Sequence, residues 1–207
     1  MNYEWGRALE SKTSKKRVVL IDHEDSFTYN IKAWLEQDER VDVRVLSYQE
    51  LPDVPDDLTH SFDLVVFSPG PGCPEDYPGS LKFLRELTLE NPFLGICLGM
   101  QMMMSLRGIK VQSLAPIHGK VSTLECKQHP LFKAIDTFQV ARYHSLAVKD
   151  TGEHFDVLAR SPEGYVMLIA EGNHLGLQFH PESFLTQDSV QFRKNLLGQF
   201  WGAMWNP

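Results

Sequence analysis

Cys97 lies between two glycines, Gly95 and Gly99, in the pattern Gly-x-Cys-x-Gly. This is the thiol version of the nucleophile elbow, a sharp turn from a strand into a helix. The turn needs small neighbours because its central residue has a strained backbone. The sulfur then lies at a helix N-terminus, whose dipole favours thiolate over thiol and makes the cysteine a nucleophile at neutral pH. The alternative is a small buried hydrophobic residue beside a loop, which describes most free cysteines.

Two further side chains that can do chemistry, His180 and Glu182, lie close together near the end of the chain. A nucleophilic cysteine needs a base that shares the thiol proton and an acceptor that orients this base. His180 and Glu182 supply both, and Pro181 between them forces a bend that lets both side chains turn toward one site. The chain has eight histidines, and for the others we predict surface positions or hydrogen-bonded structural roles.

A loop rich in proline and glycine, residues 68–74, is the third candidate segment. An acyl-transfer reaction passes through an oxyanion that needs backbone N–H donors. Because proline has no N–H, the donor from this loop must be Gly70, Gly72 or Cys73. Leu98, directly after the cysteine, is the natural second donor. The alternative for the loop is an ordinary surface turn.

The elements that must position these residues alternate between strands and helices. Apolar runs predict strands at residues 17–22, 41–46, 63–67 and 92–96. Apolar side chains at helical spacing predict a helix near residues 27–35, with Asp25 or Ser26 as its N-cap, and two more near residues 81–87 and from residue 98. This order predicts a parallel sheet covered on both faces, with the candidate segments at the carboxyl ends of strands.

After residue 107 the pattern changes to short strand-like runs separated by turn residues. These runs are residues 110–114, 120–124, 156–159, 166–171 and 175–179. They predict an added antiparallel portion whose last strand returns to the main sheet. Residues 188–204 then predict a final helix with one apolar stripe, formed by Val190, Leu197, Trp201 and Met204. The predicted fold is α/β: a three-layer, open, mostly parallel sheet of flavodoxin- or Rossmann-like type with helices on both faces, plus a small antiparallel portion.

The composition is that of an ordinary globular protein, with 207 residues of which 43% are hydrophobic and 23% charged. This length predicts a single domain, residues 17–204, after an N-terminal extension at residues 1–16. A net charge of −7 without a long basic block gives no support for nucleic-acid binding. No apolar run is long enough to cross a membrane, and the N-terminus lacks the apolar core of a signal peptide. Three cysteines are not a disulfide framework, and we expect a reduced, cytoplasmic protein.

Taken together, the motifs resemble those of class I (triad-type) glutamine amidotransferases. Three segments carry the resemblance: Ser-Pro-Gly-Pro-Gly at residues 68–72, Gly-Ile-Cys-Leu-Gly-Met-Gln at residues 95–101, and His-Pro-Glu at residues 180–182. Three more are similar, more narrowly, to the small subunits of anthranilate synthase and aminodeoxychorismate synthase: residues 22–31, 118–120 and 142–146. The resemblance extends from about residue 17 to the final helix and implies the amidotransferase fold.

This resemblance implies that Cys97 is the nucleophile, His180 the general base and acid, and Glu182 the carboxylate that orients the histidine. It also implies a glutamine site with Gly72 and Leu98 at the oxyanion, formed by six residues: Gly70, Gly72, Leu98, Gln101, Ser145 and Leu146. No metal or organic cofactor is expected for this reaction. The expected partner is the large subunit (component I) of a synthase that aminates chorismate.

Two other functions are compatible with parts of the pattern. A stand-alone γ-glutamyl hydrolase would use the same three catalytic residues on γ-glutamyl peptides and would need no partner. A non-catalytic regulatory subunit would carry the three residues only as a vestige, but intact Cys97, His180 and Glu182 with both oxyanion elements argue against this alternative.

Overall fold

The structure, a computed structural model, describes residues 15–53, 62–113 and 119–202. The predicted N-terminal extension, residues 1–16, lies outside these ranges except for its last two residues, so it stays a prediction, as do the domain boundaries. The first residue of the 118–120 motif is also outside the described residues.

Five strands form the parallel half of the main sheet. They are β1 (Lys16–Asp22), β2 (Val41–Ser47), β3 (Leu64–Phe67), β4 (Phe93–Ile96) and β12 (His174–Leu177). Across the sheet their order is β2-β1-β3-β4-β12, and each neighbouring pair is parallel. The side chains of residues 18–21 in β1 are fully buried, as a continuous apolar run in a central parallel strand requires. The predicted parallel sheet is confirmed.

Helices cover both faces of this sheet: α1 (Thr28–Glu36), α2 (Pro78–Glu86), α3 (Leu98–Leu106) and α4 (Ser189–Trp201). Short 3₁₀ helices lie at Tyr48–Asp53, Pro74–Asp76 and Pro130–Phe132. Because successive strand residues point to opposite faces, Val18 and Leu20 of β1 pack with side chains of α1 and α4. Val19 and Ile21 pack with side chains of α2 and α3. These two cores give the predicted three layers.

The predicted antiparallel portion is also confirmed. The strands β11 (Val166–Glu171), β10 (Asp156–Arg160) and β7 (Glu125–Cys126) extend the main sheet beyond β12, each antiparallel to its neighbour. Two separate ribbons join β5 (Gln112–Ser113) to β9 (Leu146–Ala147) and β6 (Lys120–Thr123) to β8 (Gln139–Arg142). The last strand, β12, therefore lies between the parallel and the antiparallel halves.

The pairing of β4 with β12 places the candidate site. In the parallel register Ile96 lies opposite Leu177, so both strands end at the same level of the sheet. Cys97 follows β4 directly, and its N–H donates to the carbonyl of Leu177 at 2.6 Å. Two chain segments far apart in sequence thus leave the sheet edge side by side.

The start of α1 differs from the prediction. Its N-cap is Phe27, which has no capping side chain, and neither Asp25 nor Ser26 occupies that position. Asp25 instead stabilises the turn before the helix, because its Oδ1 accepts from the N–H of Phe27 at 2.8 Å and its carbonyl accepts from Thr28 at 3.2 Å. The helix therefore begins one or two residues later than predicted, and Asp25 lies in the turn before its N-cap.

The buried face of α4 also differs from the predicted stripe. Leu197 is buried and Trp201 packs half-buried against the same core, as predicted, but Val190 is 52% exposed and Met204 is outside the described residues. Two polar residues share the buried face: Arg193 donates to the carbonyl of Trp34, and Asn195 donates to two carbonyls of the 3₁₀ turn near residue 131. A prediction from apolar residues alone leaves buried polar residues out, so it assigned part of the wrong side of α4 to the core.

Candidate active site

Cys97 occupies the strained turn that the glycine pattern predicts. Its backbone has φ 52° and ψ −98°, and α3 begins at the next residue with Cys97 as its N-cap. A positive φ is costly for a residue with a side chain and persists only where the surrounding structure imposes it. Cys97 is 8% exposed, and a negative charge on its sulfur would face the positive end of the helix dipole.

The two glycines of the pattern are required by close backbone approach. A Cβ atom on Gly95 would lie 2.5 Å from the carbonyl carbon of Gly99. A Cβ atom on Gly99 would lie 2.8 Å from the carbonyl oxygen of Phe67, at the end of β3. Both contacts are with main-chain atoms, which cannot move aside as a flexible side chain can, so the turn admits only glycine at these positions.

His180 and Glu182 form a buried pair next to Cys97. The Nδ1 atom of His180 lies 2.7 Å from Oε1 of Glu182, and the side chains are 3% and 0% exposed. Burial lowers the pKa of His180, but hydrogen bonds with Cys97 and Glu182 and the negative charges of both outweigh it and raise the pKa to about 10. A protonated imidazole is therefore favoured at neutral pH, and it can stabilise a neighbouring thiolate.

The backbone around His180 is tied to β8. The N–H of His180 donates to the carbonyl of Ala141 at 3.2 Å. The hydroxyl of Thr186 donates to the carbonyl of His180 at 2.7 Å and accepts from the N–H of Ala141 at 3.0 Å. Phe27 and Tyr143 also contact the imidazole with their rings, at centroid distances of 5.5 and 5.1 Å. These contacts fix the position of the imidazole.

Gln178 is a site residue that the sequence analysis missed. Its Nε2 lies 3.5 Å from Sγ of Cys97 as a donor, and its Oε1 accepts from Nε2 of Gln101 at 3.3 Å. The bond from Gln101 orients the amide so that its N–H groups point to the sulfur. A sequence signal exists: Gln178 is two residues before His180, and in extended chain such residues point the same way.

The proline-glycine loop packs against the turn at Cys97. A Cβ atom on Gly70 would lie 2.8 Å from both Leu98 Cδ2 and the carbonyl oxygen of His23. The N–H of His23 donates to Ser68 Oγ at 2.9 Å, and its Nε2 lies 3.0 Å from Ser80 Oγ. Burial lowers the pKa of His23 to about 4. A neutral, fully buried histidine thus holds the loop beside the sulfur.

Among the three candidate oxyanion donors of the loop, Cys73 has an internal partner. Its N–H donates to Oδ2 of Asp76 at 2.8 Å. This contact leaves Gly70 and Gly72 as the candidates, alongside the N–H of Leu98 on the other side of the turn.

Gln101, Ser145 and Leu146 lie at different depths. Gln101 is buried in contact with Gln178, whereas Ser145 is exposed and Leu146 is half-buried in β9. Leu146 lines a cleft of about 350 Å³ together with Cys73 and other residues. Because Tyr143, two residues before Ser145, contacts the imidazole, this segment lies beside the site.

Neither a metal site nor a membrane span is visible in the parts of the chain described here. In residues 15–53, 62–113 and 119–202, no group of three or more His, Cys, Asp or Glu side chains is arranged to hold a metal ion. No helix within the same ranges is long and apolar enough to cross a membrane.

Comparison with known proteins gives one consistent family. The family described as glutamine amidotransferase class-I matches residues 19–199. The anthranilate synthase component 2 of Archaeoglobus fulgidus is 39% identical over 87% of this chain and 96% of that protein. The pyocyanine-specific anthranilate synthase component 2 of Pseudomonas aeruginosa is 41% identical over 87% of this chain and 92% of that protein.

Two further similarities broaden this result. The aminodeoxychorismate synthase of Streptomyces griseus is 35% identical over 86% of this chain, which corresponds to 25% of that protein. A solved glutamine amidotransferase from Thermotoga maritima has the same fold, with a TM-score of 0.72 at 20% identity, covering 93% of this chain and 99% of that one.

The order in which the cysteines react with iodoacetamide tests the electrostatics of the site. At pH 7 we expect Cys97 to be alkylated about tenfold faster than Cys73 or Cys126, although Cys97 is the most buried of the three. The hydrogen bond with Asp76 raises the pKa of Cys73, and desolvation raises that of Cys126 to about 11. Peptide mass spectrometry measures all three rates in one sample.

A Glu182→Gln variant provides the matched comparison. Loss of the carboxylate charge removes one cause of the raised pKa of His180, so we expect the alkylation of Cys97 at pH 7 to slow. The rates at Cys73 and Cys126 serve as internal controls and stay constant. If accessibility alone set the order, Cys126 would react first, and the stabilisation of a Cys97 thiolate by protonated His180 would be wrong.

The close approach at Gly99 predicts a stability effect. A Gly99→Ala substitution forces a Cβ atom against the end of β3, and we expect it to lower the free energy of unfolding by about 1–3 kcal/mol. Urea unfolding measures the change. Ser105→Ala, at the far end of α3, is the control and should stay within about 0.5 kcal/mol of the original protein. Equal midpoints for Gly99→Ala and the control would contradict the packing described here.

Proposed function

The chain belongs to the class I glutamine amidotransferases, and from this premise we propose that it hydrolyses glutamine with Cys97, His180 and Glu182. We further propose that it does so as the glutaminase subunit of a synthase that aminates chorismate. The observation that carries the first proposal is the buried pair of His180 and Glu182, 2.7 Å apart, next to a cysteine held in a strained strand-to-helix turn.

The proposed reaction begins with attack of the Cys97 thiolate on the carboxamide carbon of glutamine. The carbonyl oxygen becomes an oxyanion and accepts hydrogen bonds from the N–H groups of Leu98 and Gly72. The C–N bond then breaks as His180 gives its proton to the leaving nitrogen, which departs as ammonia. A γ-glutamyl thioester with Cys97 remains.

The second half of the reaction regenerates the enzyme. His180, now neutral, accepts a proton from water while the water oxygen attacks the thioester carbon. The C–S bond breaks, glutamate leaves, and the thiolate of Cys97 again faces a protonated imidazole. Glu182 keeps Nδ1 of the ring protonated throughout, so that Nε2 is the atom that exchanges protons.

Recognition of glutamine would involve both the buried and the exposed parts of the site. Gly70, Gly72 and Leu98 surround the carboxamide end in this proposal. Gln101, Ser145 and Leu146 offer amide, hydroxyl and main-chain groups to the α-amino and α-carboxylate groups of the substrate. The proximity of Tyr143 to the imidazole supports this placement of the segment that follows it.

The proposed partner is a component I synthase subunit. Two relatives named anthranilate synthase component 2 match nearly their whole length, which supports an anthranilate synthase subunit. Tryptophan biosynthesis is the pathway we propose for it, although the relative from Pseudomonas aeruginosa is pyocyanine-specific. Chemistry also supports a partner, because free ammonia is protonated in water and diffuses away. A role in aminodeoxychorismate synthesis, for folate, is the second candidate, supported by the relative from Streptomyces griseus.

Substitution of the nucleophile tests the catalytic proposal. With a competent component I, Cys97→Ser should reduce glutamine-dependent product by at least about a thousandfold, because the thioester cannot form efficiently. Product from ammonium salts should be unchanged, since that reaction bypasses the glutamine site. Cys73→Ser is the matched control and should keep glutamine-dependent activity. Retained glutaminase turnover in the Cys97→Ser protein would refute the assignment.

A reconstitution experiment tests the partner. The purified chain, glutamine and chorismate are mixed in turn with an anthranilate synthase component I and with an aminodeoxychorismate synthase component I, and product fluorescence is followed. Aminodeoxychorismate lyase is added in the second case. We expect glutamine-dependent anthranilate with the first subunit. If both subunits work with ammonium salts but neither works with glutamine, the chorismate proposal is wrong, and full glutaminase activity without any partner would favour a γ-glutamyl hydrolase.

A further inference from the structure

A buried arginine lies beside the segment proposed to bind the α-groups of glutamine. Arg142, the last residue of β8, is 1% exposed. Its Nη1 donates to Ser122 Oγ at 3.0 Å and to Glu163 Oε2 at 3.1 Å, and its Nε donates to Nε2 of His144 at 3.2 Å. A buried guanidinium needs such partners, because an unpaired buried charge is costly.

The directions of these bonds determine the state of His144. A guanidinium has no acceptor, so Nε2 of His144 must be unprotonated to accept from Arg142. The proton of the neutral ring is therefore on Nδ1, which lies 2.8 Å from the carbonyl oxygen of Leu146 and donates to it. Burial, together with the charges of Arg142 and His180, lowers the pKa of His144 to about 4, in agreement with a neutral ring.

The bond from His144 to Leu146 closes a small ring of atoms across Ser145. The side chain of one residue is tied to the carbonyl two residues later, so the peptide units between them lose their freedom to rotate. On the other side of the segment, Leu146 is paired with residue 113 in the β5–β9 ribbon. The exposed Ser145 is thus presented from a main chain that is held at both ends.

We propose that Arg142 and His144 are positioning residues that hold the main chain of Ser145 and Leu146 in the conformation that binds the α-amino and α-carboxylate groups of glutamine. Neither side chain touches the substrate in this proposal. The inference rests on the proposed function, because it assigns a role within that same glutamine site. Arg142 fixes the orientation and the tautomer of the His144 ring, and the bond from His144 to the carbonyl of Leu146 then fixes the backbone.

Two polar substitutions of His144 separate positioning from simple stability. In His144→Asn the amide nitrogen takes the place of Nδ1, so the bond to Leu146 is kept and the acceptor for Arg142 is lost. In His144→Gln the amide oxygen takes the place of Nε2, so Arg142 keeps its acceptor and the bond to Leu146 is lost. We expect His144→Gln to raise the KM for glutamine at least about tenfold, with a smaller effect on kcat.

For His144→Asn we expect a KM within about threefold of the original protein and a lower thermal midpoint, because the buried guanidinium loses a partner. The variant with the higher KM, His144→Gln, should therefore be the more stable of the two, and the less stable variant, His144→Asn, should bind glutamine almost normally. A structural role alone would make the less stable variant the weaker binder, and this result would overturn the proposal, as would an unchanged KM in His144→Gln. The assay uses the chain with its component I.

Two alkylating agents distinguish failure of this inference from failure of the proposed function. Iodoacetamide needs only a reactive Cys97, whereas 6-diazo-5-oxo-L-norleucine, a glutamine analogue, also needs recognition of its α-groups. In His144→Gln we expect slower reaction with the analogue and an unchanged rate with iodoacetamide. If both rates fall together, the substitution has damaged the centre and positioning is refuted. If the original protein itself does not react with the analogue, the proposed function fails, and this inference with it.

Discussion

The parallel pairing of β4 with β12 is the constraint on which the rest of the site depends. It brings together the end of a strand near residue 96 and the end of another near residue 177, and the bond from the Cys97 N–H to the carbonyl of Leu177 joins the two directly. The strained backbone of Cys97 is tolerated because neighbouring backbones leave no other path. The free energy gained by packing a sheet that is buried on both faces therefore compensates for the strained backbone of Cys97.

The electrostatics follow from the same burial. A carboxylate with no exposed side-chain surface lies 2.7 Å from the imidazole, so bulk solvent screens it little and its charge acts strongly on the imidazole. Burial alone would keep His180 neutral, as it does for His23 and His144, whose pKa values are lowered to about 4. The neighbouring groups make the difference. The Cys97 sulfur and the Glu182 carboxylate raise the pKa of His180, whereas the guanidinium of Arg142 lowers the pKa of His144 further.

The sequence alone predicted the parallel sheet, its antiparallel extension and the strand ends that carry Cys97 and His180, because these depend on periodicity and on local motifs. It did not predict the hydrogen-bond partners of Gln178, or the two contacts that Arg142 makes with residues 20 and 21 positions away in sequence, because only the fold brings such side chains together. The buried face of α4 was misplaced for a related reason: Arg193 and Asn195 are buried through carbonyl partners that only the fold supplies. The N-cap of α1 was wrong because Asp25 caps a turn before the helix.

Three buried polar side chains hold main-chain segments of the site in place through hydrogen bonds. His23 holds the proline-glycine loop through Ser68, Thr186 joins the backbone of His180 to β8, and His144 ties down the segment at Ser145. Each holds main chain that lies between or beyond paired strands, and for Ser145 the bond from His144 adds to the pairing of Leu146 with residue 113. A reaction that depends on backbone N–H donors needs such loops held to within a fraction of an ångström. Polar groups that would be costly if unpaired supply this precision, because their bonds have direction, which apolar packing lacks.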